Sequence, residues 1–215
     1  YEFLLNTTTL ADGPHIIGIH ARDMVGNEAT WSGLNVTVQN NGVSQNLIQN
    51  PSLETDANAD NMPDNWFKGG WGANNRAYTY PTAGSAGANA AKVEITSYTD
   101  GDAKWYVAEV PVTSGITYHF SHEYKSNAGT EILARYMLTG GGSQYQFLGA
   151  LPAASAWTAT SYDIIVPANV ASLTIFHVIH SVGVLEIDNF SLVDSSVPPP
   201  QSANLILNGD FETNN

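Results

Sequence analysis

Hydrophobic residues along this chain recur in short alternating runs rather than at helical spacing. No convincing stretch places apolar residues at i, i+3, i+4 and i+7, the spacing of an amphipathic helix. Apolar and polar positions instead alternate in eight runs bounded by Gly, Pro and Asn: Ile16–Ala21, Ala91–Ile95, Tyr106–Val112, Thr117–Tyr124, Ile132–Leu138, Ser161–Val166, Ser172–Ile179 and Val184–Leu192. Many short strands at such spacing are typical of an antiparallel β-sandwich or jelly roll. The pattern predicts an all-β protein.

An internal repeat organises the chain. The segment Asn46–Thr55, NLIQNPSLET, returns as NLILNGDFET at Asn204–Thr213, 158 residues later and with six identical positions. A run of three prolines precedes the second copy, which favours an extended spacer. We therefore expect four parts: a first segment at 1–41, a central module at 46–194, a Pro-rich linker at 195–203, and the first strand of a second module copy at 204–215. We expect the chain to be part of a larger protein.

Composition and charge narrow the range of partners. Hydrophobic residues make up 43% of the 215 residues and charged residues 13%, and seven Lys and Arg face twenty Asp and Glu, for a net charge of −13. Coulomb repulsion disfavours nucleic acid, anionic membranes and acidic glycans as partners and leaves neutral or cationic polymers. The chain has no cysteine, which excludes disulfides and thiolate chemistry. No apolar run approaches the length of about 20 residues that spans a bilayer, so membrane insertion is not expected.

The sequence lacks the motifs of common enzymes. It has no G-x-S-x-G nucleophile elbow and no HExxH zinc motif. His119 and His122 differ by three positions, as do His177 and His180, so a regular strand would put the members of each pair on opposite faces. Acidic residues are present, but no pair lies in a recognisable glycosidase motif. We predict that the chain is not itself an enzyme.

Residues 1–41 contain a strand, a tight turn and a second strand at Leu34–Val38. The turn reads Asp23-Met24-Val25-Gly26-Asn27, where Asp23 can accept backbone N–H bonds and Gly26 can supply a positive φ. The segment LADGPHIIGIHARDMVGN resembles the last strands of bacterial immunoglobulin-like domains. The resemblance implies a partial Ig-like β segment. For Asp12, Asp23 and Asn27 we expect a role in turn geometry, and the alternative is a metal site.

The central part carries the more informative motifs. It opens with Asn46–Glu54, continues with Met62-Pro63-Asp64-Asn65-Trp66, and closes with Val184–Leu192, VLEIDNFSL. These motifs resemble jelly-roll carbohydrate-binding modules of families four, nine and twenty-two. Gly101–Val112 also resembles carbohydrate-binding segments attached to bacterial polysaccharide deacetylases and surface proteins. The resemblance implies a non-catalytic, extracellular or cell-surface module that binds a β-glucan or chitin-like polysaccharide; the alternative is a structural or adhesive spacer that binds protein or only sets distance.

The same resemblance implies one structural Ca²⁺ between the first and last strands. Matched by motif, Glu54 and Asp188 would supply carboxylates, and backbone carbonyls near Ser52 and Lys92 would complete the shell. Ca²⁺ prefers such oxygen ligands. The alternative is that both acids only accept backbone N–H bonds at strand ends.

The residues expected to contact the glycan follow from the resemblance and from strand alternation. Trp105 aligns with the usual stacking Trp of the family. We expect Tyr106, Ala108, Val110 and Val112 to face the core, so that Trp105 and Glu109 face the groove, while Trp66 is expected in the core. Only one of Arg135 and Tyr136 can face the groove. Further candidates are Tyr145 after a glycine-rich loop, His180 rather than His177, and Trp71 as a loop residue over the groove.

Overall fold

The computed structural model describes residues 10, 13–38, 45–85 and 87–197. These residues contain no helix, and so no helix long and apolar enough to cross a membrane. They form the strands β1 (Gly13–Arg22), β2 (Glu28–Val38), β3 (Trp66–Trp71), β4 (Asn74–Ala83), β5 (Asn89–Tyr98), β6 (Asp102–Val107), β7 (Val110–Pro111), β8 (Thr117–Ser126), β9 (Thr130–Leu138), β10 (Ser143–Leu151), β11 (Ala154–Ile165), β12 (Val170–Ile179) and β13 (Gly183–Asp194). The predicted all-β class is confirmed.

Contacts divide the chain into two units, residues 1–44 with 197–215, and residues 45–196. The described part of the first unit is the antiparallel hairpin β1–β2. At its turn, Asp23 Oδ1 accepts N–H bonds from Val25 at 2.9 Å and Asn27 at 2.8 Å, and Gly26 has φ of +94°. The turn chemistry predicted for Asp23 and Gly26 is thus observed. Asp12 lies outside the described residues, and the Ig-like assignment remains a prediction.

The second unit is a sandwich of two antiparallel sheets. Sheet I has the order β10-β9-β12-β6-β3, with β7 paired to β12, and sheet II has the order β11-β8-β13-β5-β4. Buried and less buried residues alternate along β8 and β9, because successive side chains of a strand point to opposite faces. The buried sides of both sheets form one hydrophobic core. The predicted sandwich is confirmed.

The repeated opening motif joins the first part of the unit to its last strand. Asn46 Oδ1 accepts N–H bonds from Ile48 at 3.1 Å and Leu192 at 3.0 Å, and its Nδ2 donates to the Phe190 carbonyl at 2.9 Å. The Leu47 N–H donates to the Leu192 carbonyl. The opening and closing motifs are therefore two halves of one hydrogen-bonded structure. The second motif copy at 204–213 and the prolines at 198–200 lie outside the described residues.

The predicted strand Tyr106–Val112 is interrupted. β6 ends at Val107 and β7 begins at Val110, and both of these valines are buried in the core. Two core positions three residues apart require the chain to change the face it presents at Ala108 and Glu109. The buried position of Val110 therefore does not show which residues of β6 face the core. This matters for Trp105, which belongs to β6.

Candidate functional site

A row of apolar side chains crosses the outer face of sheet I, the face that points away from the core. Its members are direct cross-strand partners, one from each of five strands: Phe67, Tyr106, Phe176, Leu133 and Phe147. Cross-strand partners lie on the same face of a sheet, so these residues, called here the aromatic row, line up perpendicular to the strands. Phe67 is 45% exposed and Phe147 57% exposed, although both are large and apolar.

The rings of the row are close together. The Phe67 and Tyr106 ring centroids are 5.5 Å apart with their planes inclined by 33°, and Tyr106 meets Phe176 edge to face at 5.1 Å. Tyr145 on β10, which is paired with Arg135, lies with its centroid 6.2 Å from that of Phe176. The row and Tyr145 thus give the outer face a largely aromatic surface.

Two cations cover the centre of the row. Lys104 Nζ lies 4.8 Å from the Phe176 centroid, and the Arg135 guanidinium carbon lies 5.2 Å from the same centroid. Phe176 is for this reason only 5% exposed. Cation–π attraction of this kind holds a cation in place over a ring.

Each of the two cations is paired with a carboxylate. Lys104 forms an ion pair with Asp102, and Arg135 Nη2 donates to Glu109 Oε1 at 3.0 Å. The second oxygen of Glu109 accepts a bond from the Ser172 hydroxyl at 3.0 Å. The centre of the face therefore presents fixed donors and acceptors whose charges cancel.

A cavity of about 300 Å³ lies at one end of this arrangement and is lined by Phe67, Tyr106, Ala108, Glu109 and Arg135. It combines two inclined aromatic rings with a carboxylate and a guanidinium. Small-ligand sites commonly have this composition, a largely apolar lining with few convergent polar groups. We call the cavity and the aromatic row together the groove.

Five predicted site residues lie on this outer face or at its ends. Glu109 and Arg135 line the cavity of the groove, and Tyr145 lies beside its aromatic row. Trp71 ends β3 and is 62% exposed, and its Nε1 donates to Asp102 Oδ2 at 3.0 Å. His180 follows β12, and its Nε2 lies 4.0 Å from Glu131 Oε1. His177 is buried and His180 is partly exposed, as strand alternation predicted.

Trp105 is the main correction to the predicted site. It is 1% exposed, its Nε1 donates to the Lys92 carbonyl at 2.8 Å, and its ring packs edge to face on Tyr78 in the interior. The prediction that Trp105 faces the groove and Tyr106 the core is wrong, because the strand break at Ala108 reverses the alternation. Trp66 is 2% exposed, as expected of a core residue.

Sequence reasoning missed several residues of the groove. Tyr106 was assigned to the core, and Phe67, Phe176, Phe147 and Lys104 were not singled out. A usable signal was present in Trp66-Phe67 and Trp105-Tyr106, because adjacent aromatic residues in a strand must point to opposite faces. One member of each pair therefore had to leave the core.

Two of the four predicted calcium residues, Glu54 and Asp188, accept hydrogen bonds from the segment that joins β4 to β5. Glu54 Oε1 accepts N–H bonds from Ala88 at 2.8 Å and Asn89 at 3.0 Å, and the buried Asp188 accepts one from Ser85 at 2.9 Å. Both acids thus bind backbone donors, which is the alternative considered for them. Among the described residues, no group of three or more His, Cys, Asp or Glu is arranged to hold a metal ion.

The fourth predicted ligand has a different partner. The Lys92 carbonyl accepts the indole N–H of Trp105 inside the core, so its expected place in a calcium shell is not supported. Near the same loop, Glu123 accepts bonds from Ser85 Oγ and Asn189 Nδ2, and these bonds hold the pKa of Glu123 below its ordinary value.

A buried histidine pair joins the two sheets. His122 Nε2 on β8 lies 2.8 Å from His177 Nδ1 on β12, and His177 Nε2 lies 2.7 Å from Thr130 Oγ1. Burial lowers the pKa of His122 to about 3, and burial together with the neighbouring His122 lowers that of His177 well below its ordinary value. Both imidazoles are neutral at physiological pH and serve the core rather than the groove.

No protein-family model and no curated protein matches the sequence. Among solved structures, the enzymatically active domain of tailspike protein 4 of bacteriophage CBA120 matches with a TM-score of 0.54 at 15% identity, over 68% of this chain and 21% of that one. This chain thus spans about a fifth of the tailspike domain.

Two carbohydrate-binding modules match over nearly their whole length. The family 11 module of a cellulosomal cellulase from Clostridium thermocellum has a TM-score of 0.51 at 14% identity, over 76% of this chain and 100% of the module. The CBM22-1 xylan-binding domain from Paenibacillus barcinonensis has a TM-score of 0.51 at 14% identity, over 74% and 98%. The predicted likeness to jelly-roll carbohydrate-binding modules is confirmed at the level of the fold.

Proposed function

We propose that residues 45–196 form a non-catalytic module that binds a neutral polysaccharide in the groove of sheet I. The observation that carries the proposal is the aromatic row, which continues across five strands and ends in the cavity beside Glu109 and Arg135. The module would serve a secreted or cell-surface protein of several domains.

The geometry of the row suits an extended sugar chain. Four interstrand spacings of about 4.8 Å make the row about 19 Å long, which is enough for several consecutive sugar units. Flat aromatic faces cover the C–H patches of pyranose rings and polar groups bind the hydroxyls, so the exposed rings at the two ends of the row would stack on sugars and the polar groups near its centre would bind hydroxyls. Arg135 offers N–H donors and Glu109 offers acceptors, whereas Lys104 and Asp102 are largely buried. A ligand running across the strands would meet both kinds of surface.

The charges favour a neutral ligand. Both cations of the groove are already paired with carboxylates, and the whole chain carries a net charge of −13. An acidic glycan would be repelled at long range and would have to compete with Glu109 or Asp102 for its cation. The xylan-binding domain of similar fold supports this class of ligand. Xylan therefore joins β-glucan and chitin-like polymers as a candidate.

Affinity electrophoresis and calorimetry with xylan, mixed-linkage β-glucan and chitin oligosaccharides test the proposal. Replacement of a central aromatic residue of a binding site commonly costs 2 kcal/mol or more, so Tyr106→Ala should weaken binding by at least about tenfold. Tyr98→Ala is the matched control, since Tyr98 is an exposed tyrosine of β5 in sheet II. Equal affinity of Tyr106→Ala and the parent protein, or no binding to any glycan of the panel, would contradict the proposal.

We further propose that Ca²⁺ binds beside Glu54 and Asp188, as the resemblance implies. The two carboxylates contact neighbouring positions of the 84–89 loop, and carbonyl oxygens such as that of Ser52 would have to supply the remaining ligands. Ion binding to the folded state alone would raise the melting temperature. An unchanged melting temperature after chelation, with no metal by elemental analysis, would exclude the ion.

A further inference from the structure

Sheet II has a cavity of its own on its outer face. Ala154 of β11 pairs with Ser126 of β8, and Thr158 pairs with Tyr124, so three residues of β11 lie opposite the single residue Lys125. A bulge of this kind bends its strand and redirects side chains, and bulges are frequent beside functional sites. A cavity of about 400 Å³ lies at the bulge, between β8, β11 and β13. We call it the bulge cavity.

The walls of the bulge cavity are polar and carry balanced charges. Lys125 Nζ lies 3.1 Å from Glu186 Oε2, and both side chains line the cavity while remaining partly exposed. Asn127 and Ser155 are exposed and also line it. Asn127 Oδ1 accepts the Val184 N–H at 2.7 Å, which fixes the amide in place. Donors and acceptors thus converge on the cavity without a net charge from the ion pair.

An indole lies next to this polar wall. Lys125 Nζ is 4.7 Å from the ring centroid of Trp157, one of the residues of the bulge. Trp157 is partly exposed, so its ring is available to solvent as well as to Lys125. The lysine is held between Glu186 and the indole, which reduces the entropy lost when it binds a further group.

We propose that the bulge cavity is a second saccharide-binding site, which takes a short neutral glycan segment independently of the groove. The paired charges, side-chain amide and hydroxyl that line the cavity, together with the partly exposed ring of Trp157 next to Lys125, match the requirements of a polyhydroxylated ligand. A small anion would have to displace Glu186 from Lys125, and a cation would have to displace Lys125 from Glu186. The pairing therefore favours a neutral ligand over an ion.

The location of the two sites has a consequence for binding to polymers. The groove and the bulge cavity lie on the outer faces of opposite sheets, so one module could hold two chain segments at once. Engaging a second segment at high local concentration raises the apparent affinity for a polymer without changing the affinity for an oligosaccharide. A module with two sites would therefore retain insoluble polysaccharide better than groove affinity predicts.

NMR titration of the ¹⁵N-labelled protein tests the proposal directly. The probes are xylohexaose, a mixed-linkage β-glucan tetrasaccharide and chitotetraose, and the readout is the indole N–H signal of Trp157, assigned by its loss in Trp157→Phe. We expect a saturable shift of this signal with at least one probe, in the parent protein and equally in Tyr106→Ala, whose groove is impaired. Glu186→Ala should weaken this binding at least about fivefold, because it removes both acceptor oxygens from the cavity wall and releases Lys125 from its ion pair, whereas Glu94→Ala on the same sheet should not.

The outcomes separate the two sites. A shift that disappears in Tyr106→Ala would report the groove and overturn the second site, as would an unmoved Trp157 signal with every probe. An equal shift with sodium acetate would identify an anion site and overturn the saccharide assignment. A saturable shift of Trp157 without any response of the Tyr106 region would support the second site while contradicting the proposed function of the groove.

Discussion

The inner and outer faces of sheet I both carry large aromatic side chains, but these have different surroundings. On the inner face, Trp66 and Trp105 are almost fully buried, and each indole N–H donates to a backbone carbonyl, that of Asn50 at 3.0 Å and that of Lys92 at 2.8 Å. Buried polar atoms with such partners are typical of a stable core. These residues therefore have their contacts within the protein.

On the outer face, the aromatic residues keep exposed surface next to charged groups. Phe67 and Phe147 are about half exposed, and Lys104 and Arg135 lie over the ring of Phe176 between them. Large exposed apolar patches rimmed by polar groups are uncommon on monomeric proteins unless they bind something. The comparison teaches that exposure and polar surroundings distinguish the proposed binding face from the core face, whereas aromatic content by itself does not.

The largest expected effect is a loss of folding stability in acid, which arises from two histidines buried in the core. His122 and His177 have pKa values lowered by burial in the folded state, so the unfolded chain binds more protons below its ordinary histidine pKa of about 6.5. Stability is therefore complete above pH of about 6.5 and falls as the pH decreases towards about 3, the folded pKa of His122. At pH 4.5, two units below the unfolded pKa, His122 alone would cost about 3 kcal/mol, and His177 adds a loss in the same direction. Urea unfolding at pH 7 and pH 4.5 measures the loss.

Variants separate this effect from general acid unfolding. The double variant His122→Phe with His177→Leu should flatten the pH dependence between 6.5 and 4.5. His119 is on the outer face of β8, with its Nδ1 2.7 Å from Asp163, and His119→Gln should leave the dependence nearly unchanged. The same pH slope in the double variant and in the parent protein would mean that the pair does not control acid stability.

The second prediction concerns the two faces directly. Trp105→Ala should lower the free energy of unfolding by about 3–5 kcal/mol, because it leaves a cavity in the core and an unpaired Lys92 carbonyl. Trp71→Ala on the exposed end of β3 should change it by less than about 0.5 kcal/mol. Denaturant midpoints of both variants give the comparison. If Trp105→Ala left the free energy of unfolding nearly unchanged, or if Trp71→Ala lowered it strongly, the distinction between the two faces would be contradicted.

Much of the fold could be predicted because burial and strand alternation are local properties of the sequence. All eight predicted runs fall within or overlap strands. The opening and closing motifs of the central module were both identified from the sequence, and in the structure Asn46 of the first is hydrogen-bonded to Phe190 and Leu192 of the second. The strands β3, β4 and β10 were missed; in β3 and β10, glycines and exposed aromatic residues obscure the alternation. Outer-face aromatic residues resemble core residues in a sequence, since both are simply apolar.

The site was harder to predict because its geometry depends on breaks in the strands. One irregularity at Ala108 and Glu109 moves Tyr106 outward and Trp105 inward, and no residue in VAEV signals it. Similarly, Trp157 lies beside Lys125 because the bulge in β11 shifts the strand register, and no sequence motif marks that shift. Arg135 and Glu109 do lie on one surface. The position of Arg135 follows from its alternation with the buried Tyr136, whereas Glu109 was grouped with Trp105, which lies in the core.

The smallest expected effect tests whether the outer face is built for a neutral ligand. Glu109→Gln keeps a carbonyl oxygen that can accept from Arg135 and Ser172 but removes the charge. Partly exposed ion pairs contribute about 0.2–1 kcal/mol, so affinity for a neutral glycan should change by less than about fivefold. A cationic polymer such as chitosan would lose a favourable charge, and an acidic glycan would gain access to Arg135. Calorimetry with the three ligand classes distinguishes these cases. A large loss of affinity confined to chitosan would identify a cationic ligand and contradict the neutral assignment. Only a positively charged ligand depends on the charge of Glu109 rather than on its hydrogen bonds.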